Sequence, residues 1–308
     1  MTSRALNSLD EVFSKFLQNK DSIFKNREVL KHTYVPYKLF HRELQYNSIF
    51  EALLTGYKNK NSFILCYGDA GTGKTSLIMS LLNKISKKCE EIDCKDIITS
   101  FFNCRLTTTK YRLLVNLINQ IGLSIPSRLN FNKLFQRFKK EIDSKNQYIV
   151  LVLDEIDKIF GSSSKKAKNI ANLLISLNTQ LKNTKLCIIG ISKDLKFKNY
   201  LSAEFLSNMS VHMCKFHPYN ANELKYILSE RIILGFCPGV VSERILNLIA
   251  VLSAEAGGDA RYALCLLQKA GELAERNSVK TVTEEHVKKV RKILKDSNNK
   301  YNGYCKCI

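Results

Sequence analysis

A chain of 308 residues is long enough for about two domains, and its 45% hydrophobic content suits a globular core. Lys and Arg number 48 against 28 Asp and Glu, a formal charge of +20 that favours a polyanionic partner, nucleic acid ahead of acidic membrane. The longest apolar runs, 149–153 and 186–190, fall far short of the roughly 20 residues of a membrane span, and the first residues lack a signal-peptide pattern, so a soluble intracellular protein with no membrane partner is expected.

Residues 1–31 read as polar helix pieces with Val12, Phe13, Phe16 and Leu17 on one face. A turn at Val35-Pro36 precedes a helix near 42–55. Strand candidates at 63–67, 97–104, 148–153, 186–190 and 212–216 then alternate with helix candidates at 75–86, 111–121, 131–142 and 167–181. That alternation predicts an α/β fold, a parallel sheet flanked by helices. From residue 219 the pattern is helical only, with candidates at 221–234, 242–256, 259–276 and 283–295. Asn220 and Glu223 have the spacing of a capping box. The expected organisation is an α/β base over 1–218, a small all-helical domain over 219–295 and a polar tail over 296–308.

Ten cysteines are scattered without a C-x-x-C pair, so reduced thiols are expected rather than zinc or disulfides. His41, His212, His217 and His286 show no ligand spacing.

Gly68-Asp-Ala-Gly71-Thr72-Gly73-Lys74-Thr75 fits G-x-x-x-x-G-K-[ST] between a predicted strand and a predicted helix. Glycines let the backbone curl around phosphates, and the N-terminus of the next helix favours an anion. Gly71, Thr72, Gly73, Lys74, Thr75 and Ser76 are therefore candidate nucleotide contacts. Lys74 is placed to reach the β- and γ-phosphates and the Thr75 hydroxyl to ligate Mg²⁺. The apolar strand ending at Asp154-Glu155 puts acids where ligands of parallel sheets bind. Asp154 is the candidate for holding Mg²⁺ through water, and Glu155 for activating the attacking water. No N-K-x-D signal for guanine is present, so ATP or ADP with Mg²⁺ is expected.

Further motifs carry a family resemblance. They are Asn26-Arg-Glu-Val-Leu30, Tyr34-Val35-Pro36, His41-Arg-Glu43, Phe216-His-Pro-Tyr219, Ile227-Leu228-x-x-Arg231 and Gly258-Asp-Ala-Arg261. Over roughly residues 20–295 the chain resembles the archaeal DNA replication initiators of the origin-recognition/cell-division-control type, a branch of the AAA+ ATPases. The resemblance implies an AAA+ base with a helical lid and nucleotide between them. It implies that Val35 lines the adenine side, that Tyr219 and Arg231 contact the nucleotide, and that Arg261 reaches the γ-phosphate. It implies duplex DNA as ligand, the replicative MCM helicase and related initiators as partners, and a nucleoid-associated place in the cytoplasm.

Three departures from the family pattern bear on activity. Lys193 stands where the first sensor loop usually has an amide, and a lysine has no acceptor with which to position water. Glu204 aligns with an arginine that acts on a neighbour's nucleotide. Nucleotide binding with slow hydrolysis is therefore expected. The family usually continues into a winged-helix domain, whereas this chain stops at Ile308, so an initiator without that domain is expected.

Phe131, Leu134, Phe135 and Phe138 form an apolar stripe with Lys133, Arg137, Lys139 and Lys140 on the other faces. The family has a DNA-contacting insertion in this stretch, which makes these four cations candidate phosphate contacts. An amphipathic helix packed on the sheet is the plainer reading. Two rival functions are a regulatory AAA+ switch acting on a protein partner and an ATPase partner of a mobile element.

Overall fold

The structure is a computed structural model that describes residues 22–58, 62–94, 96–105, 109–124, 129–160 and 165–300. The expected stripe of Val12, Phe13, Phe16 and Leu17 lies outside the described residues. Contacts divide the chain into two units, one of Val35–Pro218 and one in which residues 22–34 join residues 219–300.

In the first unit, α1 (Glu43–Lys58) precedes β1 (Ser62–Tyr67), and α2 (Lys74–Glu91) precedes β2 (Ile97–Asn103). Helices α3 (Lys110–Gln120) and α4 (Phe131–Asp143) lead to β3 (Tyr148–Asp154). The short α5 (Asp157–Phe160) and α6 (Lys165–Gln180) lead to β4 (Lys185–Ser192). Helix α7 (Ala203–Asn208) leads to β5 (Ser210–Lys215). The strands form one parallel sheet in the order β2-β3-β4-β1-β5.

The apolar runs that identify the strands also explain why helices cover both faces. Side chains alternate along a strand, so a run without polar breaks must bury both faces. Ile149, Leu151 and Leu153 enter a core with Leu113, Leu117, Leu134, Phe138 and Leu174 of α3, α4 and α6. Val150 and Val152 enter the opposite core with Ile49, Leu53, Leu77, Ile78 and Leu81 of α1 and α2. Register pairs Tyr67 of β1 with Ser192 of β4, and Asp154 of β3 with Ile191 of β4, so the carboxyl ends of the central strands finish level.

The second unit contains α8 (Ala221–Gly235), α9 (Glu243–Glu255), α10 (Ala260–Arg276) and α11 (Glu284–Lys300). Asn220 and Glu223 form the expected reciprocal capping box at the start of α8. Helix α11 continues to Lys300, past the expected end at residue 295. Its core joins Leu224, Leu228, Ile249, Leu266, Leu267 and Val287.

The sequence reading placed the whole N-terminal segment with the base, and here the structure differs. Ile23, Phe24, Val29 and Leu30 are buried in the helical unit. Phe24 lies 4.6 Å from Phe236, ring centre to ring centre, and both rings close over Gly271 of α10. An added Cβ at Gly271 would meet each ring at 2.7 Å. The backbone joins in, with Cys237 N–H donating to Ile23 O at 2.9 Å, and Arg27 forms an ion pair with Glu275. The apolar partners of this segment are therefore on α8 and α10, about two hundred residues along the chain, where sequence proximity gives no clue.

Truncating Phe24 to Ala removes a buried aromatic ring, and the expected cost is about 3 kcal/mol of stability in the helical unit. Gly271→Ala is expected to cost about 1–3 kcal/mol by overpacking the same place. Urea unfolding followed by circular dichroism measures both.

Candidate phosphate-binding site

The loop from Gly68 to Gly73 joins β1 to α2 at the carboxyl edge of the sheet. Two of its glycines are required by geometry. Gly68 has φ 150°, and a Cβ there would approach Phe216 O to 2.2 Å. Gly73 is the N-cap of α2 with φ 89° in the left-handed region, and no side chain caps the helix. The first amides of α2 therefore have no side-chain acceptor at a helix end that favours negative charge.

Lys74, only 7% exposed, turns back over this loop. Its Nζ donates to Gly68 O at 2.8 Å, Asp69 O at 2.5 Å and Thr72 Oγ1 at 3.1 Å. Thr72 Oγ1 in turn donates to Asp69 O at 2.8 Å. Beneath the loop, Arg42 is 3% exposed and bonds three main-chain carbonyls. Its Nε donates to Thr72 O at 2.9 Å, Nη1 to His41 O at 2.9 Å and Nη2 to His217 O at 2.6 Å. Sequence reasoning gave Arg42 no such role; its only signal was membership of a family-like motif.

Of the two acids, Asp154 meets the start of α2. Thr75 Oγ1 lies 3.2 and 3.4 Å from the two carboxylate oxygens of Asp154 at the end of β3. Glu155 N–H donates to Asp154 Oδ1 at 2.9 Å, with Glu155 held at φ 53°. A left-handed backbone at a non-glycine residue stores strain and is concentrated at functional sites. The Glu155 carboxylate is engaged by Arg105, which follows β2, in an ion pair that sequence reasoning did not anticipate. Burial first, and then Asp154, push the Cys104 thiol upward. The Asp154 carboxylate beside the Thr75 hydroxyl suits a hard cation. Ser192 at the end of β4 donates to Asp157 Oδ1 at 3.2 Å and accepts from Asp194 N–H at 2.9 Å. Lys193 is exposed just after β4, and Glu204 is exposed in the first turn of α7. Val35 and Ser76 are half-buried in this unit.

The remaining expected nucleotide contacts belong to the helical unit. Tyr219 is buried, and its N–H donates to Gly258 O at 3.1 Å, tying the start of α8 to the turn before α10. Arg261 is exposed in the first turn of α10, where Asp259 Oδ1 accepts from its N–H at 2.7 Å. Arg231 is 4% exposed, with its guanidinium 4.3 Å above the Tyr34 ring. Its Nε and Nη1 have no hydrogen-bond partner among the described residues. Burial lowers its pKa, opposed by Glu230 and Tyr34.

On α4, Leu134, Phe135, Phe138 and Ile142 are buried, so the amphipathic packing is real. Lys133, Arg137 and Lys140 share one exposed face with Asn132 and Gln136, lining a shallow concavity. Lys139 leaves that row: its Nζ donates to Gln180 Oε1 at 2.6 Å and lies over the Phe135 ring. Arg137 also pairs with Glu141 at 3.0 Å. Among the described residues no helix is long and apolar enough to cross a membrane.

Comparison with known proteins adds to this geometry. Residues 57–196 match the AAA domain family, and residues 225–292 match the Cdc6 AAA+ ATPase-type lid domain. An ORC1-type DNA replication protein of Pyrococcus furiosus is 39% identical over 290 residues, 92% of this chain and 68% of the relative. The structure of the Aeropyrum pernix ORC1 protein in complex with DNA superposes with a TM-score of 0.76 at 31% identity, covering 88% of this chain and 70% of that one. The Aeropyrum pernix ORC2 protein, solved as ADPNP-ADP complexes, shares the fold with a TM-score of 0.75 at 22% identity, covering 86% and 71%. A parallel AAA sheet, a Cdc6-type lid and this level of identity establish that the chain belongs to the ORC1-type family of DNA replication initiation proteins.

Proposed function

We propose that this chain is a replication initiator that binds duplex DNA under the control of ATP and ADP, with slow turnover. The observation that carries the reading is the junction of the uncapped α2 N-terminus, Lys74 and the Thr75–Asp154 pair at one end of the sheet. Uncapped amides and a lysine ammonium suit a polyphosphate. A hydroxyl beside a carboxylate suits Mg²⁺, which Thr75 and Asp154 would hold. Magnesium, when bound, neutralises charge on the β- and γ-oxygens.

The chain's own residues then have separable tasks. Lys74 exchanges loop carbonyls for phosphate oxygens. Gly71, Thr72, Gly73 and Ser76 supply backbone and side-chain donors around them. Tyr219, Arg231 and Arg261 bring the helical unit into the response, and the two unpartnered donors of buried Arg231 support a role in holding an anion or carbonyl. Val35 supports the base side of the nucleotide. Glu155 serves as the base for water, but its ion pair with Arg105 occupies the carboxylate. Lys193 offers no acceptor for water, and Glu204 replaces a cation. All three features favour binding over turnover.

Duplex DNA is the proposed ligand of the α4 row of Lys133, Arg137 and Lys140, because three cations on one exposed face can grip phosphates without reading bases. Its relative from Aeropyrum pernix was solved with DNA. Helicase loading through MCM and assembly with related initiators belong to the same reading. A second reading, a switch acting on a protein partner, is favoured by the apolar side chains of residues 37–57. Tyr37 is 78% exposed and Leu44 82%, followed by Leu54 and Tyr57.

Two outcomes are expected. Anisotropy on labelled duplex DNA should show binding that differs among ATP, ADP and no nucleotide; equal affinity in all three would remove the switch. Arg105→Ala should free Glu155 and raise single-turnover ATP hydrolysis several-fold, an increase that a second change, Glu155→Gln, abolishes. Unchanged turnover in Arg105→Ala would show that the ion pair does not restrain Glu155.

A further inference from the structure

Helix α11 carries a second row of cations that the nucleotide site does not use. Residues 286–295 contain Lys288, Lys289, Arg291, Lys292 and Lys295 and no acid. Val287, Val290 and Leu294 fix the orientation of the helix by burying one face in the core of the helical unit. Lys288, Lys289, Lys292 and Lys295 are consequently exposed. Arg291 pairs with Glu255 at 3.3 Å and Lys288 with Glu284 at 3.4 Å. Lys289, Lys292 and Lys295 have no hydrogen-bond or ion-pair partner among the described residues.

An ordinary solvated helix face mixes both signs, because like charges at i,i+3 and i,i+4 destabilise the helix. This face sets such neighbours together repeatedly: Lys288 with Lys292, Lys289 with Lys292, and Lys292 with Lys295. The helix dipole acts only within the last turn, and the helix runs on to Lys300, so it accounts for none of these lysines. Glu284 and Glu285 stand four residues before Lys288 and Lys289, whereas no acid precedes Lys292 or Lys295 at that spacing. Lys288, Lys292 and Lys295 also repeat the i, i+4, i+7 spacing of Lys133, Arg137 and Lys140 on α4. Seven residues of helix rise about 10.5 Å, and one strand of duplex DNA offers a phosphate about every 3.4 Å of axis. Each row therefore spans about three phosphates.

We infer that the exposed face of α11, through Lys288, Lys292 and Lys295, is a second docking surface for the phosphate backbone of duplex DNA. The inference rests on the DNA reading above and extends it from the base to the helical unit. Lysine ammoniums bind phosphates as point charges, so the contribution of this row is independent of sequence and strongly dependent on salt.

The test is anisotropy of the full chain on a labelled duplex from 50 to 200 mM salt, about the range over which phosphate contacts are resolved. Three triple-alanine variants are compared with wild type: Lys288/Lys292/Lys295, Lys133/Arg137/Lys140, and a control at exposed Lys87, Lys145 and Lys215 with the same charge change. Loss of the α11 row should reduce the magnitude of the log K against log salt slope by about 2 to 3 and weaken binding about tenfold or more at 0.1 M salt. The control should leave the slope unchanged. Glutamine at the three α11 positions should give the same loss, with unaltered melting confirming an intact helix. An α11 variant that behaves like the control overturns the inference, and a slope that still falls in the α4 variant leaves the DNA reading standing. Absence of duplex binding by wild type at low salt overturns both. Phosphatidylserine vesicles that capture wild type but not the α11 variant, with duplex affinity intact, would assign the face to an anionic membrane and overturn the inference.

Discussion

The guanidinium of Arg42 holds together three pieces of backbone on which the candidate site depends. It bonds Thr72 of the phosphate loop, His41 ahead of α1 and His217 just after β5. A buried cation is tolerable only while its donors are matched, and hydrogen bonds to charged groups contribute on the order of 1.5–3 kcal/mol each. Loop, α1 and β5 must therefore keep their places together. Gly68 tightens the same junction, because its missing side chain lets Phe216 O approach the loop. Lys74 closes the loop from above by bonding its carbonyls. These bonds hold the loop in one shape, and a loop so held has less ordering cost to meet on binding.

Charge is divided between the inside and the surface in a functional way. Asp154, Glu155 and Asp157 follow one another at the end of β3, where Asp154 meets Thr75, Glu155 meets Arg105 and Asp157 meets Ser192. Arg105 and Lys74 are both engaged there, Arg105 with the Glu155 carboxylate and Lys74 with the loop carbonyls. The excess positive charge lies instead on exposed helix faces such as those of α4 and α11. The carboxylates thus stand at the sheet edge, and exposed helix faces carry rows of cations.

The sheet and its phosphate loop were legible in the sequence because their signals are local. Ile149 to Leu153 is a continuous apolar run, and Gly68 to Thr75 carries its chemistry in eight residues. The capping box of Asn220 and Glu223 is legible for the same reason. What the sequence hid involves partners far apart in the chain. Phe24 packs on Phe236 and Gly271, Arg42 bonds His217, and Arg105 meets Glu155, each joined only by the fold. Lys139 shows a finer limit: helical spacing alone did not separate it from the Lys133, Arg137 and Lys140 face, and the position of Gln180 decided where it points.

The phosphate loop is tested most directly by isothermal titration of the full chain with ATP in the presence of Mg²⁺, for wild type and for Lys74→Ala. The geometry requires saturable binding at one site, weakened by about a hundredfold when the ammonium is removed, as expected for loss of charged hydrogen bonds. No binding heat in wild type across temperatures, or an affinity that Lys74→Ala leaves unchanged, would contradict it.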